Sequence, residues 1–130
     1  MERNPKSGKR MLKVMLIEDD PIMVSLLTTL LDLEGFMVQA PSNHRMEGLL
    51  SAIIDGHPQI ALVDVNLREG SGIDLVREIR LDPEIKDMRI LMSSGLNLKQ
   101  ECMQAGADGF IMKPFMPDEL INLIHRTIQQ

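Results

Sequence analysis

Tryptophan and tyrosine are absent from this chain of 130 residues, and only three phenylalanines are present. So little aromatic surface leaves no platform on which nucleobases could stack. The single cysteine, Cys102, excludes an internal disulfide, and no spacing of Cys and His matches a zinc site. Long hydrophobic runs are missing as well. No apolar stretch approaches the roughly 18–20 residues of a membrane span, and the start of the chain has no apolar signal-peptide core. These absences predict a cytoplasmic protein that touches neither a membrane nor nucleic acid directly.

Charge strengthens the second exclusion. The chain carries net −5, although residues 1–10 hold Arg3, Lys6, Lys9 and Arg10 against Glu2. The remainder is therefore strongly acidic, the wrong sign for a phosphate backbone. Residues 1–11 are expected to be a disordered basic leader and residues 12–130 a single domain, for which a chain that is 44% hydrophobic can fill one core. Flexible core filler accounts for the eleven methionines, since Met15, Met92 and Met112 fall within strand-like runs and the rest show no ligand-like pairing. His44, His57 and His125 are scattered and are expected to be exposed loop or helix residues.

Apolar runs and helical patterns alternate along residues 12–130. Lys13-Val14-Met15-Leu16-Ile17 is nearly continuous, as a strand covered on both faces should be. Asp20 can cap the helix that follows, Pro21 suits its first turn, and Ile22, Leu26, Leu30 and Leu33 recur at helical spacing until Gly35. Phe36 to Ala40 reads as a second strand. Met46, Leu49, Leu50, Ile53 and Ile54 form an amphipathic helix that stops near Gly56 and Pro58, and Ile60 to Val63 is a third strand closing on Asp64.

After the Arg68-Glu69-Gly70 turn, Ser71 and Asp74 can form a capping box for a helix through Ile73, Val76, Ile79 and Arg80, ended by Asp82-Pro83. Arg89 to Met92 is a fourth strand. Asn97 and Gln100 offer a second capping box for a shorter helix ending at Gly106, and Phe110-Ile111-Met112 is a fifth strand. The last helix begins at Pro117 with Asp118 and Glu119 in its first turn. Five strand–helix units predict a doubly wound α/β fold, a parallel sheet with helices on both faces. In such sheets ligands bind beyond the carboxyl ends of the strands.

Four clusters lie at such ends: Glu18-Asp19-Asp20, Asp64, Ser93-Ser94-Gly95 and Lys113-Pro114. If the carboxylates converge, neighbours about 4 Å apart repel by roughly 4 kcal/mol at an effective dielectric near 20. A cation is needed, and oxygen ligands without sulfur or imidazole select Mg²⁺, which takes a few carboxylates and leaves room for a phosphoryl oxygen. Lys113 could offset charge on that group while the Ser94 hydroxyl donates to one of its oxygens. Asp64 would then be the nucleophile, forming an acyl phosphate.

With these segments and Gly106-Ala107-Asp108-Gly109-Phe110-Ile111-Met112, the chain resembles the receiver domain of two-component response regulators. The resemblance implies a flavodoxin-like sheet of five strands in the order 2-1-3-4-5. It implies that Asp64 accepts a phosphoryl group from the phosphohistidine of a sensor histidine kinase or phosphotransfer protein. Asp19, Asp64 and the backbone carbonyl of Asn66 would hold Mg²⁺, with Glu18 acting through water, Lys113 contacting the phosphoryl group and its bond to Pro114 cis. Ser94 and Phe110 would relay the change to the surface of the fourth helix, fifth strand and last helix. Output would pass through a downstream effector protein or a domain outside this chain, and a homodimer through the last helix is possible.

The pattern departs from the family's at Arg68, where Pro is frequent, at Gly95, where Ala is frequent, and at Ser94, where Thr is commoner. None of these removes a chemical group. Leu96, two positions after Ser94, is expected to screen the acyl phosphate from water. Such a domain is a switch that catalyses only its own aspartyl phosphorylation and dephosphorylation, not a turnover enzyme. Two alternative readings of the sequence remain open. One is a receiver-fold interaction module that works without phosphorylation. The other is a phosphatase of the haloacid-dehalogenase type, which wants an acid two residues after the nucleophile, where Asn66 stands.

Overall fold

A computed structural model of the chain describes residues 12–130; the expected leader at 1–11 lies outside the described residues. Its elements are β1 (Lys13–Ile17), α1 (Pro21–Leu33), β2 (Met37–Gln39), α2 (Met46–Gly56), β3 (Ile60–Asp64), β4 (Asn66–Leu67), β5 (Gly70–Ser71), α3 (Gly72–Leu81), β6 (Arg89–Ser94), α4 (Lys99–Ala105), β7 (Gly109–Met112) and α5 (Pro117–Ile128). Five strands form a parallel sheet in the order β2-β1-β3-β6-β7. Because β4 and β5 pair only with each other as a short antiparallel hairpin, this is the expected 2-1-3-4-5 arrangement.

The alternation of side chains along each strand divides the core into two layers. Met15, Ile17, Ala61, Val63, Ile90 and Met92 pack under α2, α3 and α4 through Leu49, Ile53, Leu75, Val76, Ile79 and Cys102. Val14, Leu16, Ile60, Leu62, Leu91 and Ile111 pack under α1 and α5 through Leu27, Leu31, Leu120, Ile121 and Ile124. Both faces of β3 are therefore dry and all five of its residues are buried, which is why its run reads as continuous rather than alternating. Burial pushes the Cys102 thiol above its ordinary value, with Glu101 adding to the rise.

Helix α1 corrects the expected stripe. Ile22, Leu26 and Leu33 stand in solvent, at 72, 62 and 78% exposure, whereas Leu27 and Leu31 face inward. The helix is apolar around most of its circumference, so its period admits more than one buried face, and packing on β1 and β3 selects the one centred on Leu27 and Leu31. Met112 is likewise exposed on the sheet-edge strand β7, while Met15 and Met92 are buried.

The caps are simpler than the expected boxes. Asp20 accepts the Ile22 N–H as the cap of α1. Ser71 accepts the Ile73 N–H at 3.1 Å, but Asp74 turns to Arg77 instead of returning to the cap. Helix α4 begins at Lys99 without a side-chain cap, and Asn97 reaches the Lys99 N–H only at 3.4 Å. Leu120 and Ile124 are fully buried against the sheet, so a homodimer through α5 would have to use other residues.

Arg80 ties the second half together. Its guanidinium donates to the carbonyls of Gly106, Lys86 and Met88 and to Asp108, which also accepts the Ile90 N–H. One side chain thus joins the end of α3 to the start of β6 and to the turn before β7.

Candidate functional site

Strands β1, β3, β6 and β7 are neighbours and parallel, so their carboxyl ends open on one side of the sheet. The register sets Ile17 opposite Val63, Asp64 opposite Ser93 and Ser94 opposite Met112. The next residue of β1 is Glu18 and the next of β7 is Lys113, so sheet pairing alone delivers both to the level of Asp64. Glu18 and Asp64 are each only 8% exposed.

Lys113 bridges them. Its Nζ donates to Glu18 Oε1 at 2.8 Å and to Asp64 Oδ2 at 2.9 Å. Burial by itself lowers the Lys113 value, but the hydrogen bonds and charges of Glu18 and Asp64 outweigh it and hold the ammonium above the ordinary lysine range. The second oxygen of each acid takes a backbone donor: Asp20 N–H on Glu18 Oε2 at 3.0 Å, and Asn66 N–H on Asp64 Oδ1 at 3.2 Å. The peptide bond between Lys113 and Pro114 is cis.

Glu18, Asp19, Asp20, Asp64, Asn66, Arg68 and Lys113 line one open cleft of about 550 Å³. The hairpin β4–β5 forms one wall by folding back over the end of β3. Gly72 permits this approach, because a Cβ there would stand 2.2 Å from the Asp64 carbonyl oxygen, and its N–H donates to the Val65 carbonyl. Ser94 is fully buried at the end of β6, and its carbonyl accepts the Lys113 N–H at 2.8 Å. Its hydroxyl accepts the Leu96 N–H at 3.1 Å and is not joined to Asp64. Phe110 is half-buried against the layer under α2, α3 and α4.

His44 departs from its expected exposure. Its side chain is only 9% exposed and its Nδ1 contacts Asp19 Oδ1, while Asp19 Oδ2 accepts the Arg68 N–H. His57 and His125 are exposed as expected. The signal that would have found His44 is topological: the loop between β2 and α2 also starts at a strand's carboxyl end, so it borders the same cleft. A lone histidine in a non-periodic loop carries no other mark.

The donor chemistry fits a hard divalent cation. The cleft offers carboxylate and amide oxygens, and Mg²⁺ is usually held by one or two carboxylates with several waters. That modest requirement matters, because among the described residues no three His, Cys, Asp or Glu side chains converge into a protein-only metal cage. Asp19, Asp64 and Asn66 are the groups that could hold such an ion.

Comparison with known proteins places this geometry. Residues 14–125 match the response regulator receiver domain. The chain belongs to that family. It is 34% identical over 122 residues to the nitrate/nitrite response regulator protein homolog of Haemophilus influenzae, covering 91% of this chain and 57% of that protein. Similarity to the cell cycle transcriptional regulator CtrA of Caulobacter vibrioides is 35% over 121 residues, 92% of this chain and 51% of the other. The receiver chain thus spans about half the length of these curated relatives. Among solved structures, the chemotaxis response regulator CheY4 of Vibrio cholerae superposes with a TM-score of 0.82 at 25% identity, over 91% of this chain and 99% of that one. Among the described residues of this receiver domain, no helix is long and apolar enough to cross a membrane.

Proposed function

We propose that this receiver domain is a phosphorylation-controlled switch in which Asp64 is the phosphoacceptor. A carboxylate oxygen of Asp64 attacks the phosphorus of a phosphohistidine in line. The new O–P bond forms as the P–N bond breaks, and its electron pair returns to the imidazole of the donor kinase or phosphotransfer protein. Lys113 is already beside the attacking group and stays within reach of the oxygens it acquires. Mg²⁺, held by Asp19, Asp64 and the Asn66 carbonyl with Glu18 acting through water, would supply charge neutralisation on the transferred group. The observation that carries this reading is the single ammonium shared by Glu18 and Asp64 in a cleft that Asp19 also lines.

The switch follows from Ser94. Its hydroxyl holds the Leu96 N–H in this structure; turning to a phosphoryl oxygen gives up that bond and frees the loop before α4. Charge-assisted hydrogen bonds of about 1.5–3 kcal/mol suffice to bias a two-state equilibrium of that size. The altered surface of α4, β7 and α5, with Phe110, would be read by an effector protein or a linked output domain in the cytoplasm.

The donor must cover the cleft. An apolar groove beside it, lined by Leu26, Leu30, Leu33, Pro114 and Phe115, includes Lys113 at its rim. A phosphohistidine-bearing partner that reaches Asp64 therefore meets the exposed apolar face of α1, and that contact gives an unpaired surface a use.

Incubation with acetyl phosphate and Mg²⁺, followed by intact mass, tests the reading. The expected result is a gain of one phosphoryl group in the wild type and none in Asp64→Asn. Phosphate release without an adduct would favour a phosphatase, and complete inertness would favour a phosphorylation-independent module.

A further inference from the structure

The carboxylates of Glu18, Asp19 and Asp64 each have a partner on both oxygens. Glu18 takes Lys113 and the Asp20 N–H, Asp64 takes Lys113 and the Asn66 N–H, and Asp19 takes His44 and the Arg68 N–H. Lys113 and Arg68 are the two cationic residues that line the phosphoacceptor cleft, and Lys113 is committed to carboxylates. Arg68 is not. Its backbone N–H holds Asp19, but among the described residues its guanidinium has no hydrogen bond and no ion pair.

The hairpin fixes where that group stands. Leu67 pairs with Gly70, so Arg68 and Glu69 are the two-residue turn between β4 and β5. The bond from the Arg68 N–H to Asp19 ties this turn to the end of β1 and keeps an exposed arginine on the rim of the cleft. Arg68 also lines a neighbouring cavity of about 540 Å³ between the β2–α2 loop and the hairpin, so it stands where the two openings meet. A phosphoryl group that approaches Asp64 from solvent passes this rim.

An acidic cleft in a chain of net −5 repels such a group. A guanidinium counters that repulsion with a planar fork of N–H donors that matches phosphoryl oxygens, and the charge-assisted pair is stronger than neutral hydrogen bonds. We propose that Arg68 receives the phosphoryl oxygens of the donor at the mouth of the cleft and holds the group for attack by Asp64. Arg68 gains no covalent bond; with acetyl phosphate, the O–P bond to Asp64 forms as the bond from phosphorus to the acetyl oxygen breaks, and acetate leaves with the electron pair. The proposal rests on the phosphoacceptor reading of Asp64 given above.

The second-order rate constant for labelling by acetyl phosphate with Mg²⁺, read by intact mass on the whole chain, tests it. Arg68→Ala should lower that constant at least about fivefold, and Arg68→Lys, which keeps the charge but loses the fork, should lie between the two. Arg77→Ala removes an equal charge outside the cleft and should match the wild type. The advantage of the wild type over Arg68→Ala should shrink as salt is added. Binding is read separately in Asp64→Asn, which has no nucleophile: titration with inorganic phosphate and Mg²⁺ should shift the Arg68 Nε–H resonance. Equal constants in wild type and Arg68→Ala, the same loss in Arg77→Ala, or an unmoved Arg68 Nε–H would each overturn the proposal while leaving Asp64 as the phosphoacceptor. A wild type that takes no label would remove the phosphoacceptor reading, and the proposal with it.

Discussion

The ammonium of Lys113 lies 2.9 Å from a carboxylate oxygen of Asp64, although the two residues are 49 positions apart in the chain. Parallel pairing of β3 with β6 and of β6 with β7 produces that contact. It supplies an internal counter-charge to an acid that the fold has largely removed from water.

Replacing that counter-charge has a directed outcome. Lys113→Met leaves Glu18 and Asp64 facing each other, so the domain should lose about 1–3 kcal/mol of stability. Added Mg²⁺ should then raise the melting temperature of the variant more than that of the wild type, because a bound cation stabilises the folded state by mass action. Thermal melts followed by circular dichroism, with and without Mg²⁺, measure both effects. Equal Mg²⁺ responses would show that Lys113 is not the counter-ion of the cation site.

The raised value of Lys113 sets the pH dependence. An unfolded lysine titrates near about 10.4, and the folded value is higher. Stability from this pairing is therefore fully present below the unfolded value and is lost as pH rises through the folded one. The stability gap between wild type and Lys113→Met should stay flat across neutral pH and narrow only in strong alkali. In Asp64→Asn, one of the two acids loses its charge, so the Lys113 value should fall, as read from the side-chain NMR titration.

Neighbouring leucines of α1 should separate stability from partner contact. Leu27 is 5% exposed, and Leu27→Ala should cost about 2–5 kcal/mol. Leu26 is 62% exposed, so Leu26→Asp should change stability by no more than about 0.5 kcal/mol. Labelling of Leu26→Asp by acetyl phosphate should be unchanged, while transfer from a phosphohistidine donor protein slows. Normal transfer from the donor would argue that it docks elsewhere.

Leu96 stands 67% exposed in the loop after β6, and its N–H is held by Ser94. If its apolar side chain screens the acyl phosphate, Leu96→Lys should shorten the lifetime of the phosphorylated form, measured as loss of the mass adduct after removal of the donor. A longer lifetime in the variant would reverse the assigned role.

Legibility in the sequence followed physical signal. Continuous apolar runs marked β1, β3 and β6 because both faces of the central sheet are dry. Acidic and basic groups at the carboxyl ends of β1, β3 and β7 marked Glu18, Asp19, Asp64 and Lys113 because a parallel sheet collects those ends on one side. The capping arrangements at Asp74 and Asn97 were less legible, since a side chain able to cap can also pair with a neighbour such as Arg77.

Residue order alone determined the succession of strands and helices and the residue types available at the cleft. Tertiary packing decided which side of α1 is covered, because a helix with apolar residues on most sides leaves its orientation to the shape of the sheet beneath it. It also decided that His44 meets Asp19: 25 positions separate them, and only the adjacency of β1 and β2 brings their following loops together.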